Sequence, residues 1–195
     1  ASPIFGQARC GLPKCKLRRM MHISMKLKPY LDKITPKCLL LFMAVASMAM
    51  LAAALIGQYG FGWHPCDLCL KQRYPYAAIA VLGLLGAFLI KSPKALLMVA
   101  GLCTVLFAVD AGIAFYHTGV EMGWFTGPTS CSNTGTGEQT LEEMRAAIMN
   151  APLVSCDQAM AYVFGLSLAA WNFIAASMFT IFFAAMILKL RRKSL

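Results

Sequence analysis

Long apolar runs alternate with short polar segments along this chain, and four of the runs carry no charged residue. The uncharged runs cover residues 38–66, 74–90, 95–109 and 158–188. A helix needs roughly 17–25 apolar residues to cross the hydrocarbon core of a bilayer. The pattern therefore predicts an all-α membrane protein built as a four-transmembrane-helix bundle. We expect the spans at about residues 39–59, 74–90, 95–118 and 161–188.

Composition supports this class. Apolar residues make up 59% of the 195 residues, whereas an ordinary soluble domain has about 45–50% even with glycine counted. A normal soluble fold is excluded on this ground. The second predicted span is close to the lower length limit, and the third contains one acid, Asp110. An ionisable residue inside a span is a candidate for function.

The basic residues predict the orientation of the spans. The net charge is +10, but the Lys and Arg residues are sorted by loop and form no face for nucleic acid, so we expect no nucleic-acid partner. Of the 18, nine lie in residues 1–37, two between the second and third spans, and four after the fourth span. Basic loops stay in the cytoplasm. Both termini are therefore expected to be cytoplasmic, with the loops at 60–73 and 119–160 on the outer side.

Three regions follow from these boundaries. We expect residues 1–37 to be a basic cytoplasmic tail that is disordered or partly artefactual, residues 38–190 to form the membrane domain, and residues 191–195 to be a basic cytoplasmic end. The alternative for the first apolar run is a cleavable signal peptide. That run exceeds the 7–15 residues of a signal core, and its removal would spoil the sorting of charge.

The predicted topology divides the eight cysteines. Cys66 and Cys69 fall in the first outer loop, and Cys131 and Cys156 in the second, so two pairs face an oxidising compartment. The others are expected to be cytoplasmic or intramembrane. Of these, Cys10 and Cys15 in the tail are expected to be reduced thiols. Cys38 and Cys103 are expected to be small packing residues of the spans.

The first pair forms a C-x-x-C motif just before the second span, a spacing suited to thiol exchange. Nearby positive charge lowers the pKa of a thiol and favours its thiolate. If residues 66–73 are helical, Cys69 and Arg73 share a face, which favours a Cys69 thiolate. The motif alone is equally compatible with a static disulfide or half of a zinc site. Further zinc ligands are available in the outer cysteines and in His64 and His117.

Two other features remain open at this stage. Residues 140–143 read as a capping box, which predicts a helix in the second outer loop. This helix either lies on the bilayer surface and holds Cys131 and Cys156 near it or is an ordinary solvated loop helix. Asp110 and His117 share one face of the third span. They suggest a proton path, although we favour a structural role for Asp110, either as a hydrogen-bond partner of a residue such as Asn172 or as a protonated acid in the membrane.

Together these motifs resemble the DsbB family of bacterial disulfide bond formation proteins over most of residues 39–190. The resemblance rests on four spans, on the C-x-x-C motif with Arg73 four residues after its second cysteine, and on the second outer pair. Further matching segments are Tyr116-His117-Thr118-Gly119-Val120-Glu121, Gly127-Pro128 before Cys131, and Phe164-Gly165-Leu166 with Trp171.

The resemblance implies an inner-membrane thiol:quinone oxidoreductase that reoxidises a periplasmic DsbA-like partner and passes two electrons to ubiquinone or menaquinone. It implies redox disulfides Cys66–Cys69 on the quinone side and Cys131–Cys156 on the partner side, with Arg73 and His117 at the quinone. The outer loops are then periplasmic. The alternatives are a membrane metal-binding protein that uses outer Cys and His ligands, and a four-span scaffold braced by static disulfides.

Overall fold

The computed structural model describes residues 34–127 and 155–193, which form four long helices and one short hairpin. A π-helix, Ile56–Gly60, extends the first helix, and the hairpin immediately precedes the fourth. The helices are α1 (Pro36–Leu55), α2 (Asp67–Leu89), α3 (Pro93–Glu121) and α4 (Leu168–Lys193), and the strands are β1 (Tyr162–Val163) and β2 (Leu166–Ser167). The predicted surface helix near residue 140 lies outside the described residues.

Three helical segments of the described chain are long and apolar enough to cross a membrane. They are Pro36–Gly60, Pro93–Glu121 and Leu168–Arg192, with mean hydropathies of 2.6, 2.2 and 2.1. Their outward faces carry exposed apolar side chains such as Met98 and Ile181, a pattern that suits lipid contact. Helix α2 covers the second predicted span, but its first turns carry charged residues and it is not among the three. Its membrane crossing therefore stays a prediction.

The fourth helix begins seven residues later than predicted, because residues 162–167 form a hairpin. Val163 pairs with Leu166, and the two residues between them, Phe164 and Gly165, have φ angles of 50° and 80°. Positive φ at both central residues is the geometry of a tight two-residue hairpin turn. Ser167 then caps the helix, since its Oγ accepts a hydrogen bond of 3.1 Å from the Ala170 N–H.

Aromatic side chains fill the core between the helices. The ring centroid of Phe107 on α3 lies 5.3 Å from that of Phe183 and 5.4 Å from that of Phe179, both on α4. On the other side of the core, α1 and α2 pack closely at Gly83, where a Cβ would lie 3.0 Å from the Leu40 carbonyl oxygen. The first turns of α2, which carry the cysteine pair, contact the π-helix that follows α1 and the last turn of α3.

Two cysteines that we predicted to be packing residues differ in their surroundings. Cys103 on α3 is fully buried, as expected for a small apolar side chain in a helix interface. Cys38 in the first turn of α1 is exposed, so the packing prediction is wrong there. Cys38 lies on an exposed face of α1, whereas the next two residues, Leu39 and Leu40, are buried.

Candidate active site

The C-x-x-C motif forms the amino-terminal cap of α2. Cys66 is the N-cap residue, and its Sγ accepts a hydrogen bond of 3.4 Å from the Cys69 N–H. The Cys66 thiol in turn donates to Cys69 Sγ, with the two sulfurs 3.2 Å apart and not bonded. The first N–H groups of a helix have no partner within it and favour negative charge. The motif therefore places a dithiol where a thiolate is stabilised.

The two thiols of this pair differ in acidity. The pKa of Cys69 is lowered, chiefly by the hydrogen bond from the Cys66 thiol, although burial opposes the shift. The pKa of Cys66 is raised to about 12 by the same hydrogen bond and by burial, against a smaller opposing effect of His117. Cys69 is therefore the thiolate and Cys66 the thiol of the reduced pair. The sequence prediction also favoured a Cys69 thiolate, but it assigned the lowered pKa to Arg73, which is not among the groups that shift it. The hydrogen bond from Cys66 is the main cause.

We expect this asymmetry to appear in the pH dependence of alkylation. Because a lower pKa leaves more thiolate at a given pH, Cys69 in the reduced protein should react at pH values where an ordinary thiol is protonated. Cys66→Ala removes the donor and should slow alkylation of Cys69 at neutral pH. Cys66→Ser keeps a hydroxyl donor and is the matched control. Mass spectrometry of alkylated peptides measures both, and equal rates in the two variants would contradict the assignment.

His117 on α3 reaches the cysteine pair from the opposite side. Its Nε2 lies 3.5 Å from Cys66 Sγ and 3.7 Å from Glu121 Oε1, and its Nδ1 lies 3.0 Å from Gln72 Nε2. The ring is almost fully buried. His117, predicted as a site residue, is therefore in contact with the dithiol itself.

The polar contacts continue from Gln72 into the bundle. Asn172 Nδ2 donates two hydrogen bonds of 3.1 Å, one to Gln72 Oε1 and one to Asp110 Oδ2. Tyr76 donates to Asn172 Oδ1 at 2.6 Å. The hydrogen bond that we expected between Asp110 and Asn172 is thus confirmed, and it belongs to a network that ends at Cys66.

Cys156 lies in the same apolar cluster as the motif. It is fully buried together with Cys66, Leu68 and Val120, and Cys69 packs against this cluster. Cys156, one of the second pair of cysteines in the sequence prediction, is therefore next to Cys66 and Cys69. Cys131 lies outside the described residues, so its pairing with Cys156 stays a prediction.

A cavity of about 380 Å³ opens beside Cys69, between α1, α2 and α4. Most of its lining is apolar, with Met50, Leu51 and Trp63 among the lining residues. The polar groups that face it include Cys69, Gln72, Arg73 and Asn172. Small-molecule sites typically have this size and this mixture of an apolar wall with a few polar groups.

Arg73 lies on the wall of this cavity. Its Nη1 donates a hydrogen bond of 2.7 Å to Gln58 Oε1, on the π-helix that follows α1. Of the aromatic residues that follow α1, Trp63 lines the cavity, whereas Tyr59 and Phe61 are exposed. The predicted arginine therefore has both a fixed position and access to the space beside Cys69.

The thiol pair and His117 also satisfy the spacing of a metal site. One ligand atom from each of Cys66, Cys69 and His117 lies within 4.8 Å of the others. His64, the other histidine that we considered as a ligand, is exposed and is not part of this group. The three atoms fall one short of the four ligands that structural zinc usually takes.

Sequence reasoning missed two polar residues of the site, Gln58 and Gln72. A signal for Gln72 was present, because a polar residue three positions after Cys69 shares its helical face. Gln58 gave a weaker signal, since nothing in the sequence pairs it with Arg73 across 15 positions. Both positions are decided by the packing of α1 against α2.

Comparison with known proteins identifies the family. The family model described as disulfide bond formation protein DsbB matches residues 36–186. The chain is 26% identical over 147 residues to an uncharacterised protein of Rickettsia prowazekii (strain Madrid E), covering 74% of this chain and 84% of that protein. It is 30% identical over 135 residues to disulfide bond formation protein B of Herminiimonas arsenicoxydans, covering 67% and 82%.

A third relative is disulfide bond formation protein B of Haemophilus influenzae (strain 86-028NP). It is 27% identical over 162 residues, which cover 77% of this chain and 88% of that protein. No solved structure matches the chain significantly. The family model covers the four helices up to residue 186, and this range includes all the described residues of the candidate site. The chain therefore belongs to the DsbB family of membrane disulfide bond formation proteins.

Proposed function

We propose that this protein is a thiol:quinone oxidoreductase of the bacterial inner membrane. In this function it reoxidises a periplasmic DsbA-like protein of the thioredoxin fold and passes two electrons to a membrane quinone. The observation that carries the proposal is the dithiol at the start of α2. Its thiolate, Cys69, faces an apolar cavity, and its thiol, Cys66, packs in one cluster with Cys156.

Thiol–disulfide exchange transfers two electrons from the reduced partner to Cys66 and Cys69. A thiolate of the reduced partner attacks Cys131 of the Cys131–Cys156 disulfide and releases Cys156 thiolate, which attacks Cys66 and releases Cys69 thiolate. The second thiolate of the partner then attacks the partner sulfur bonded to Cys131, which forms the disulfide of the oxidised partner and releases Cys131 as a thiolate. Cys131 attacks Cys156, and Cys66 is released. The partner has lost two electrons, and the dithiol of Cys66 and Cys69 now holds them.

The residues around the cavity suit a quinone. An apolar wall matches its ring and tail, and Arg73 and Gln72 supply donors for carbonyl oxygens, whereas Asn172 already donates to Gln72 and Asp110. A bound quinone supplies the acceptor for two electrons and two protons. Cys69 lies on the cavity wall, so its thiolate is the sulfur that delivers electrons there. Re-formation of the Cys66–Cys69 disulfide then completes the cycle.

The orientation of the protein in the membrane is inferred from the charge of its loops and from the chemistry of its cysteines. The outer loops that carry the redox cysteines are periplasmic, both termini are cytoplasmic, and α2 crosses the membrane from residue 74 onward. Support comes from the sorting of Lys and Arg by loop and from the need of disulfide exchange for an oxidising compartment. The three apolar segments provide the other spans.

The test is quinone reduction by the full-length purified protein in detergent. A reduced thioredoxin-fold partner supplies electrons, and ubiquinone and menaquinone analogues are tried as acceptors. Partner-dependent turnover that Cys131→Ser abolishes supports the complete relay. Absence of turnover with both quinones, in protein whose cysteines exchange with the partner, would refute the quinone step.

A substitution at Gly57 tests the cavity separately. A Cβ at Gly57 would lie 2.8 Å from Trp63 Cε3, so Gly57→Ala should push the Trp63 ring into the cavity that it lines. We expect the KM for quinone to rise by about tenfold, as for a lost contact of 1–2 kcal/mol, with the rate of exchange with the partner unchanged. The matched control is Gly101→Ala, whose added Cβ meets nothing within 4 Å. An unchanged KM in Gly57→Ala would place the quinone elsewhere.

Metal binding is the second candidate function, supported by the cluster of Cys66, Cys69 and His117. Glu121 Oε1 lies 3.7 Å from His117 Nε2, but Glu121 is not part of this group, so a fourth ligand would come from outside it. This function predicts one bound zinc ion per chain, lost in His117→Ala, without turnover of quinone. Elemental analysis of the reduced protein decides between the two candidates.

A further inference from the structure

Asp110 is a fully buried acid in the middle of α3, away from the cysteines. Its Oδ2 accepts from Asn172 Nδ2, whereas its Oδ1 has no hydrogen-bond partner. A carboxylate among apolar helices is costly and is usually retained for a function. The exchange steps proposed above do not use it.

The hydrogen bonds between Asp110 and His117 determine how the side-chain amides of Asn172 and Gln72 are oriented. The amide nitrogen of Asn172 faces Asp110 and donates to Oδ2 at 3.1 Å, so this oxygen of Asp110 is an acceptor. The same nitrogen donates to Gln72 Oε1, and the nitrogen of Gln72 is thereby turned toward His117 Nδ1 at 3.0 Å. Tyr76 does not determine the direction, because its hydroxyl can donate or accept.

The last link determines the tautomer of His117. Because Gln72 donates to Nδ1, that nitrogen carries no hydrogen in the neutral ring, and the hydrogen resides on Nε2. Nε2 is the nitrogen that lies 3.5 Å from Cys66 Sγ. His117 therefore presents an N–H to Cys66, the sulfur that must leave as a thiolate when Cys131 re-forms its bond to Cys156.

We propose that Asp110 is a positioning residue that acts through the side-chain amides of Asn172 and Gln72 to hold His117 with its Nε2 hydrogen directed at Cys66. Asp110 acts here as a hydrogen-bond acceptor and transfers no proton. Side-chain amides relay orientation readily, whereas proton transfer through them would require a disfavoured change of bonding. The catalytic consequence rests on the proposed function, but the tautomer of His117 does not.

The first experiment measures the tautomer directly. Full-length reduced protein labelled with ¹⁵N-histidine is studied by NMR in detergent, and the three histidines are assigned with His22→Gln and His64→Gln. We expect an Nε2–H ring at His117 in the wild type and in Asp110→Asn, whose carbonyl still accepts from Asn172. Asp110→Leu should shift the ring toward the Nδ1–H tautomer. Asn172→Leu breaks the next link and should give the same shift.

The second experiment measures turnover of the same variants with partner and quinone. Asp110→Leu should lose about tenfold, as for a misdirected hydrogen bond to a charged sulfur, and Asp110→Asn should stay within about twofold of the wild type. Loss of turnover in Asp110→Asn with the Nε2–H ring retained would make Asp110 a proton donor and overturn the proposal. An unchanged tautomer in both Asp110→Leu and Asn172→Leu would also overturn it. If the wild type reduces no quinone, the proposed function fails, and the NMR result still decides the role of Asp110.

Discussion

Cys69→Ser is expected to abolish quinone reduction, with a loss of at least about 10³-fold, as for removal of an essential nucleophile. The reason is that Cys69 is the thiolate of the pair and lines the cavity, and a serine hydroxyl cannot form the disulfide that stores the oxidising equivalent. The first exchange does not need Cys69. One equivalent of reduced partner should therefore still be oxidised per chain, at the expense of the Cys131–Cys156 disulfide.

The stoichiometric and the catalytic reactions are separated by following partner thiols and quinol in the same sample. Cys38→Ser is the matched control, because it makes the same atomic change at an exposed position in the first turn of α1 and should retain full turnover. Quinone reduction by Cys69→Ser at more than a few per cent of the wild-type rate would show that another sulfur delivers the electrons.

Arg73→Ala is expected to have the next largest effect and to act on one half-reaction. Arg73 and Cys69 line the same cavity, and Gln58 holds the guanidinium there. A hydrogen bond to a charged or strongly polarised oxygen contributes about 1.5–3 kcal/mol, so kcat/KM for quinone should fall roughly 10–100-fold. Exchange with the reduced partner occurs at Cys131 and Cys156 and should keep its rate.

Lys71→Ala provides the charge-matched control for this variant. Lys71 is two residues away on the same helix and pairs with Asp67 at 2.7 Å, with about half of its side chain exposed. Its removal changes the local charge equally but leaves the cavity wall intact. Single-turnover measurement of each half-reaction distinguishes the two variants. Equal losses in both half-reactions of Arg73→Ala would assign the arginine to folding instead of to the quinone.

Much of the fold followed from the apolar runs because lipid accepts only long segments whose backbone groups are paired within a helix. The start of α4 did not follow. Residues 161–167 carry no charge and continue the apolar run, yet Phe164 and Gly165 adopt positive φ and turn the chain into a hairpin. Hydropathy cannot detect this turn, because it measures transfer to lipid and is insensitive to backbone conformation.

The site was predictable to the extent that it is local. The four-residue spacing of Cys69 and Arg73 on a predicted helix favoured a Cys69 thiolate, because residues four apart share a helical face. The sequence also suggested Arg73 and His117 as site residues and Asn172 as a partner of Asp110. It gave no indication that the Cys66 thiol is the strongest influence on the pKa of Cys69.

The sequence by itself determined the membrane class, the three apolar spans and the cysteine motif, because each depends on residues that are close together in the chain. Only the tertiary structure joined Asp110 to His117 through Asn172 and Gln72, on three different helices. It also decided that Cys156 packs with Cys66 and that a cavity opens beside Cys69. These arrangements depend on how helices far apart in the sequence pack, and hydrophobic packing is non-directional, so no local pattern of residues encodes them.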